Sequence, residues 1–158
     1  MFTNQNKFSN RKYFMDLALE HAKKNLGNTK INPSVGCVIV KNNSVISAGN
    51  TGLNGTPHAE FQALISSNNV SNSDLYVTLE PCSHYGKTPP CVNKIISRNI
   101  KKVFFSVHDP DLRSFNKSSN ILRKKGIKVS NGINYKEIKN FYRSYFLFKE
   151  EKIPFVTL

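Results

Sequence analysis

The sequence is poor in cysteine, in acidic residues and in long apolar runs, and each shortage closes off a class of protein. Three cysteines, Cys37, Cys82 and Cys91, stand without an export signal. That argues against a disulfide framework and leaves metal binding or burial as uses for the thiols. No apolar run approaches the roughly 18–20 residues that span a bilayer. Met1 to Asn10 are polar and lack the apolar centre of a signal peptide. A cytoplasmic chain without a membrane partner is expected. Internal repeats and low-complexity linkers are missing too. The 158 residues, 39% hydrophobic and 11% aromatic, are enough for one globular domain with its own core.

Ten Asp and Glu stand against 23 Lys and Arg, a formal charge of +13. Such an excess raises the question of a nucleic-acid partner. The lysines, however, are spread along the chain in pairs such as Lys23-Lys24, Lys101-Lys102 and Lys124-Lys125 and form no basic arm. Asn and Ile are abundant as well, the mark of a general compositional bias. A basic surface would still draw in a phosphorylated substrate.

After the polar start, Ser9 or Asn10 can cap a helix whose apolar positions include Phe14, Leu17, Ala18 and Ala22, with Gly27 as its stop. Val35 to Val40 and Val45 to Ala48 predict a hairpin about Asn42-Asn43, with Cys37 a small buried thiol on its first strand. A glycine-rich loop (Gly49, Gly52, Gly55) precedes a helix from about Ala59 to Ser66. Strands are expected at Leu75–Leu79, Val103–Val107 and Ile127–Val129. Helices are expected at Cys91 to Arg98, near Ile121, and from about Lys136 to Phe148. Strands alternating with helices after an opening hairpin imply an α/β architecture, a mixed sheet of about five strands flanked by helices.

Three residues have the chemistry of a metal site. His58 opens a helix after Pro57, Cys82 follows Pro81 in a loop, and Cys91 follows Pro89-Pro90 at the next helix start. One nitrogen and two sulfur ligands suit Zn²⁺ and leave the fourth tetrahedral position to water, as catalytic sites do. Helix N-termini lower the thiol pKa. Zinc lowers the pKa of its water from about 15.7 to around 7. Glu60, two residues past the ligand, is placed to shuttle the protons. This combination of His-x-Glu with Pro-Cys and a second Cys is the signature of nucleobase deaminases. A structural zinc would need a fourth protein ligand, for which Cys37 and His84 are the near candidates. His21 and His108 are expected on a helix surface and in a loop. Where nucleobase deaminases keep two residues between the cysteines, this chain has eight, bringing His84, Tyr85, Lys87 and Thr88 beside the metal.

The segment Thr78-Leu-Glu-Pro-Cys-Ser-His-Tyr-Gly-Lys-Thr-Pro-Pro-Cys91 resembles the signature loop of the riboflavin-biosynthesis pyrimidine deaminases. Asn32-Pro-Ser-Val-Gly-Cys-Val-Ile-Val40, Pro57-His-Ala-Glu60 and His108-Asp-Pro110 match that family's pattern as well, and the likeness extends from about Tyr13 to Leu158. It implies a three-layer cytidine-deaminase-like fold. The implied substrate is 2,5-diamino-6-ribosylamino-4(3H)-pyrimidinone 5′-phosphate, hydrolysed at its C2 amino group. It also implies substrate contacts by Asn32, His84 and Lys87; Asn32 as a turn residue and Lys87 as a solvated charge are the alternatives.

Two positions depart from the pattern. Thr51 stands where the family has a His seven residues before the zinc ligand; either Asn50 or Thr51 is expected to substitute as a hydrogen-bonder, or substrate contact on that side is weakened. Phe115-Asn-Lys-Ser118 replaces a Gly-Lys-Gly turn. By this reading residues 1–10 are a tail, 11–150 the zinc deaminase domain, and 151–158 a stub like the first strand of an NADPH-dependent reductase domain. No NADP site and no reductase activity are expected; a homo-oligomer and a separate reductase partner are. The competing readings are a deaminase of tRNA, other single strands or nucleosides, and a catalytically weakened partner subunit.

Overall fold

The computed structural model describes residues 4–151, and their side chains from Asn10 onward. The expected strand at Ile153–Leu158 lies outside the described residues. Helix α1 runs Asn4–Lys23, so it starts before the expected cap at Ser9 or Asn10. Residues 4–10 contain no Gly or Pro to break it. Its buried stripe is Phe14, Met15, Ala18, Leu19 and Ala22, the 3.6-residue rhythm of a core-facing helix.

The hairpin follows as β1 (Gly36–Lys41) and β2 (Ser44–Asn50). Asn42 and Asn43 both take positive φ, 50° and 62°, as a tight turn of matching twist requires. Then come α2 (Ala59–Ile65), β3 (Asp74–Leu79), α3 (Cys91–Ser97), β4 (Lys102–Val107), α4 (Lys117–Lys124) and β5 (Lys128–Asn131). The five strands form one mixed sheet ordered β2-β1-β3-β4-β5. β1 pairs antiparallel with β2 and β3, while β3, β4 and β5 are parallel. Gly49, read from sequence as part of a loop, belongs to β2, where it pairs with Cys37.

Two glycines set the layers. A Cβ on Gly36 would overlap the Ala18 carbonyl and lie 2.5 Å from Ala22 N, so α1 rests directly on the backbone of β1. One on Gly49 would lie 2.7 Å from Ala63 N and 2.8 Å from Gln62 Cβ, so α2 rests just as closely on β2. Gly36 pairs with Asn50 and Gly49 with Cys37, one step along the ladder, so the two glycines face opposite sides of the sheet. Helices therefore cover both faces.

The single helix expected over Lys136–Phe148 is instead two, α5 (Tyr135–Phe141) and α6 (Arg143–Glu151), meeting at Tyr142. The buried Tyr142 hydroxyl donates to Ser34 O at 3.0 Å and accepts from Thr78 Oγ1 at 2.6 Å. Those partners lie 108 and 64 residues away and hold the tyrosine at the junction of the two helices. Among the described residues, no helix is long and apolar enough to cross a membrane.

Candidate active site

The sheet delivers the site at one edge. The carboxyl ends of parallel β3 and β4 open there, where ligands settle in α/β sheets. Antiparallel β1 begins and β2 ends at the same edge. The chain enters α2 through His58, in extended conformation with φ −70° and ψ 155°, so the imidazole stands at the helix mouth. Pro90 does the same for α3, whose first residue is Cys91. Cys82 follows β3 after Glu80 and Pro81.

His58, Cys82 and Cys91 bring one ligand atom each within 4.8 Å of one another. The His58 Nδ1 lies 3.6 Å from Cys82 Sγ and 3.4 Å from Cys91 Sγ. A tetrahedral zinc with ordinary bond lengths separates its nitrogen and sulfur ligands by about 3.5 Å. The donor set therefore fits zinc in both chemistry and spacing. Among the described residues the cluster has three members, which leaves a coordination position free. Neither candidate for a fourth ligand joins it: Cys37 is packed in the core on β1, and His84 Nδ1 lies 2.9 Å from Ser114 Oγ.

The groups perturb one another. Cys91 and then His58 hydrogen-bond the Cys82 sulfur, which holds its thiol down at about 4. The Cys91 N–H also donates to that sulfur at 3.2 Å. Cys82 in turn raises the His58 ring to about 9. Glu60 is buried beside the cluster and outside it; burial first, and then the charge of Cys82, raise its carboxyl to about 7. A carboxyl with that affinity both accepts and returns a proton at neutral pH.

These residues sit in a cavity of about 400 Å³. Asn32, Thr51, His84 and Lys87 all line it with His58, Glu60 and Cys82. Asn32 spends an N–H on Gly55 O at 3.0 Å, which leaves the amide oxygen for a ligand. Thr51 is committed to the backbone: its hydroxyl accepts from Val35 N–H at 2.9 Å and donates to Pro33 O at 3.1 Å. Gly86 and Thr88 of the eight-residue excursion also face the cavity, whereas Tyr85 is 75% exposed and points away.

Sequence reasoning missed much of the rest of the wall, to which Lys30, Glu80, Asp109, Asp111, Arg113, Tyr145 and Lys149 contribute. Asp109 Oδ1 accepts from the Asp111 N–H and the Tyr145 hydroxyl, and burial raises its carboxyl above the usual range. Arg113 grips both oxygens of Asp111 at 2.6 and 2.9 Å, and Lys149 Nζ adds a contact at 3.3 Å. These cations, Arg113 first, hold the Asp111 carboxyl well below its ordinary value. Asp109 had a signal in its His-Asp-Pro segment; Arg113 and Lys149 had none. His108 is indeed a loop residue, and His21 is half-buried on α1.

Residues 8–107 match the family described as the cytidine and deoxycytidylate deaminase zinc-binding region. The chain is 39% identical over 147 residues to the riboflavin biosynthesis protein RibD of Bacillus amyloliquefaciens, covering 92% of this chain but 40% of that one. It is 40% identical to the diaminohydroxyphosphoribosylamino-pyrimidine deaminase of Buchnera aphidicola from Schizaphis graminum, covering 85% of this chain and 92% of the relative. Among solved structures, RibD of Acinetobacter baumannii superposes with a TM-score of 0.89 at 37% identity, over 94% of this chain and 42% of that chain. This chain thus spans about two fifths of the RibD relatives it matches. The ligand geometry, the fold and these similarities agree: the chain belongs to the zinc-binding deaminase family, among the deaminases of riboflavin biosynthesis.

Proposed function

We propose that this chain is a zinc-dependent hydrolase of 2,5-diamino-6-ribosylamino-4(3H)-pyrimidinone 5′-phosphate. It replaces the C2 amino group with oxygen from water and releases ammonia. The observation that carries the reading is the buried Glu60 beside a three-ligand His58–Cys82–Cys91 cluster, with Glu60, His58 and Cys82 lining a cavity large enough for a ribotide. The name of the Buchnera relative, which this chain nearly spans, supports the choice of substrate.

His58 Nδ1 and the thiolates of Cys82 and Cys91 would hold the zinc, which would supply a Lewis acid able to bring the pKa of a bound water to around 7. Glu60 takes one proton as the water oxygen bonds to C2 and passes it to the adjacent ring nitrogen. It then takes the second proton from that oxygen and passes it to the amine, which leaves as ammonia as the C2–N bond breaks. Because Glu60 is closed off from bulk water, the proton stays with the reacting atoms. Asn32 and His84 would hold the pyrimidinone edge, and Lys87, with Lys30, Arg113 and Lys149, would attract the phosphate; their place in the cavity lining supports this.

The test is ammonia release by the zinc-loaded protein from the pyrimidinone ribotide, run beside a tRNA anticodon stem. Turnover of the ribotide alone is expected. Turnover of the RNA alone would establish the competing nucleic-acid reading, and a zinc-loaded protein inert on both would point to a supporting subunit.

A further inference from the structure

Glu80 is a carboxylate that the chemistry above does not use. It is fully buried, with a side-chain exposure of 0%, between β3 and the zinc loop. A buried charge survives only where hydrogen bonds replace its water. All of its side-chain donors come from one segment, His108 to Ser118. The Ser118 hydroxyl donates to Oε1 at 2.6 Å. The Asn116 N–H and His108 Nδ1 donate to Oε2 at 3.2 and 2.8 Å. The other ring nitrogen of His108 lies 2.8 Å from Asn131 Nδ2, so the ring bridges Glu80 and Asn131. Asn116 takes φ 58°, the left-handed conformation that Asn tolerates, to aim its N–H inward.

The segment held in this way is a wall of the active site. Asp109, Asp111 and Arg113 line the cavity. Ser114, at its centre, is buried, with Oγ 2.9 Å from His84 Nδ1 and accepting from the Ser83 N–H at 3.4 Å. His84 is thus oriented by a residue whose loop is tied down at both ends by Glu80. Ser118 and Asn116 are the positions where the sequence departs from the Gly-Lys-Gly turn, and both supply donors to this carboxylate.

Resting on the substrate reading given above, we propose that Glu80 is a positioning residue for substrate binding: it clamps the 108–118 segment against the zinc loop and so fixes His84 and the Asp109–Arg113 wall. Its carboxylate has its donors satisfied within the fold and is not a member of the metal cluster, so it acts through those residues.

The test compares wild type, Glu80→Ala, Glu80→Gln and Ser118→Ala. Zinc content, kcat and KM for the ribotide are measured, with backbone amide exchange over residues 108–118 in the substrate-free protein. In Glu80→Ala, exchange across the segment accelerates, zinc stays stoichiometric, kcat changes little, and KM rises by roughly ten-fold or more, as expected for losing hydrogen bonds to a charged group. Glu80→Gln, which keeps an acceptor for Ser118, recovers part of that KM. If Glu80→Ala does not fold, Ser118→Ala is judged by the same KM and exchange criteria. An unchanged KM with full zinc overturns the proposal. So does a loss of zinc with kcat falling at constant KM, which would make Glu80 a support of the metal loop instead. If the wild type is inert on the ribotide, the functional reading fails separately; unaltered exchange in Glu80→Ala then overturns the clamp.

Discussion

Replacing Gly49 by Ala adds one methyl group at the place where the catalytic helix meets the sheet. The new Cβ would overlap the carbonyl oxygen of Ala59 and lie 2.7 Å from Ala63 N and 2.8 Å from Gln62 Cβ. Two of the three are backbone atoms, so no side chain can swing aside. Ordinary contact begins near 3.5 Å, and relief therefore means lifting α2 from β2 by roughly an ångström. Overpacking of this kind costs about 1–3 kcal/mol. At 2–4 °C per kcal/mol for a domain of this size, the melting temperature should fall by about 2–12 °C. The movement has a second consequence, because α2 carries Glu60 and begins at His58. A misplacement of about 1 Å in a reacting constellation costs on the order of a hundred-fold in rate. Thermal melts, metal analysis and ribotide kinetics on Gly49→Ala should therefore show a stable fold, weakened zinc retention and a kcat loss far larger than the stability loss suggests. A variant with the melting temperature, zinc content and kcat of wild type would refute the argument that α2 is seated on bare backbone.

Three further outcomes are expected. Glu60→Gln keeps zinc stoichiometric by metal analysis and loses about 10²–10⁴ in kcat, the usual share of a proton-transfer group; retained turnover would assign the protons elsewhere. Thr51→Val leaves the buried Val35 N–H without its acceptor, at a cost of about 1–3 kcal/mol visible as a lowered melting temperature. KM for the ribotide should move little in that variant, and a large KM rise at unchanged stability would make the hydroxyl a substrate contact. Asp111→Asn tests the Arg113–Lys149 pair through pH. The folded-state pKa of Asp111 is depressed, so its stabilisation is present above the unfolded value of about 3.9 and is lost as pH falls through the folded one. Denaturation midpoints of wild type and variant should differ at neutral pH and converge in acid, whereas a gap independent of pH would show that the charge is immaterial.

The sequence revealed what depends on neighbours along the chain. The hairpin was readable because Asn42-Asn43 adopts the turn for which such pairs are suited, and α2 and α3 because Pro57 and Pro90 stand directly before their first turns. The elbow at Tyr142 was not, since a tyrosine at a core position of a helical pattern gives no sign that its hydroxyl will be held by Ser34 and Thr78. Thr51 shows the same limit, since its backbone partners are not evident in the sequence. A lone threonine in a loop looks available to a ligand until the fold brings Pro33 and Val35 against it. The Asp111–Lys149 contact joins residues 38 apart on separate elements, and no local pattern marks either as part of one cavity.

The eight-residue excursion between Cys82 and Cys91 shows why the metal half of the site was legible and the substrate half less so. Its ends are closed: the Cys91 N–H donates to Cys82 Sγ at 3.2 Å, and the Val92 N–H to Cys82 O at 3.3 Å. The start of α3 therefore folds back onto the cysteine that follows β3, whatever length of chain lies between. Zinc geometry depends on that closure and is indifferent to the loop, so the ligand pattern survives a spacing other than two. The excursion is free to carry His84, Gly86, Lys87 and Thr88 into the cavity, where a shorter connection has no residues to offer. The segment thus contributes two of the three candidate metal ligands at its ends and, between them, residues that line the cavity.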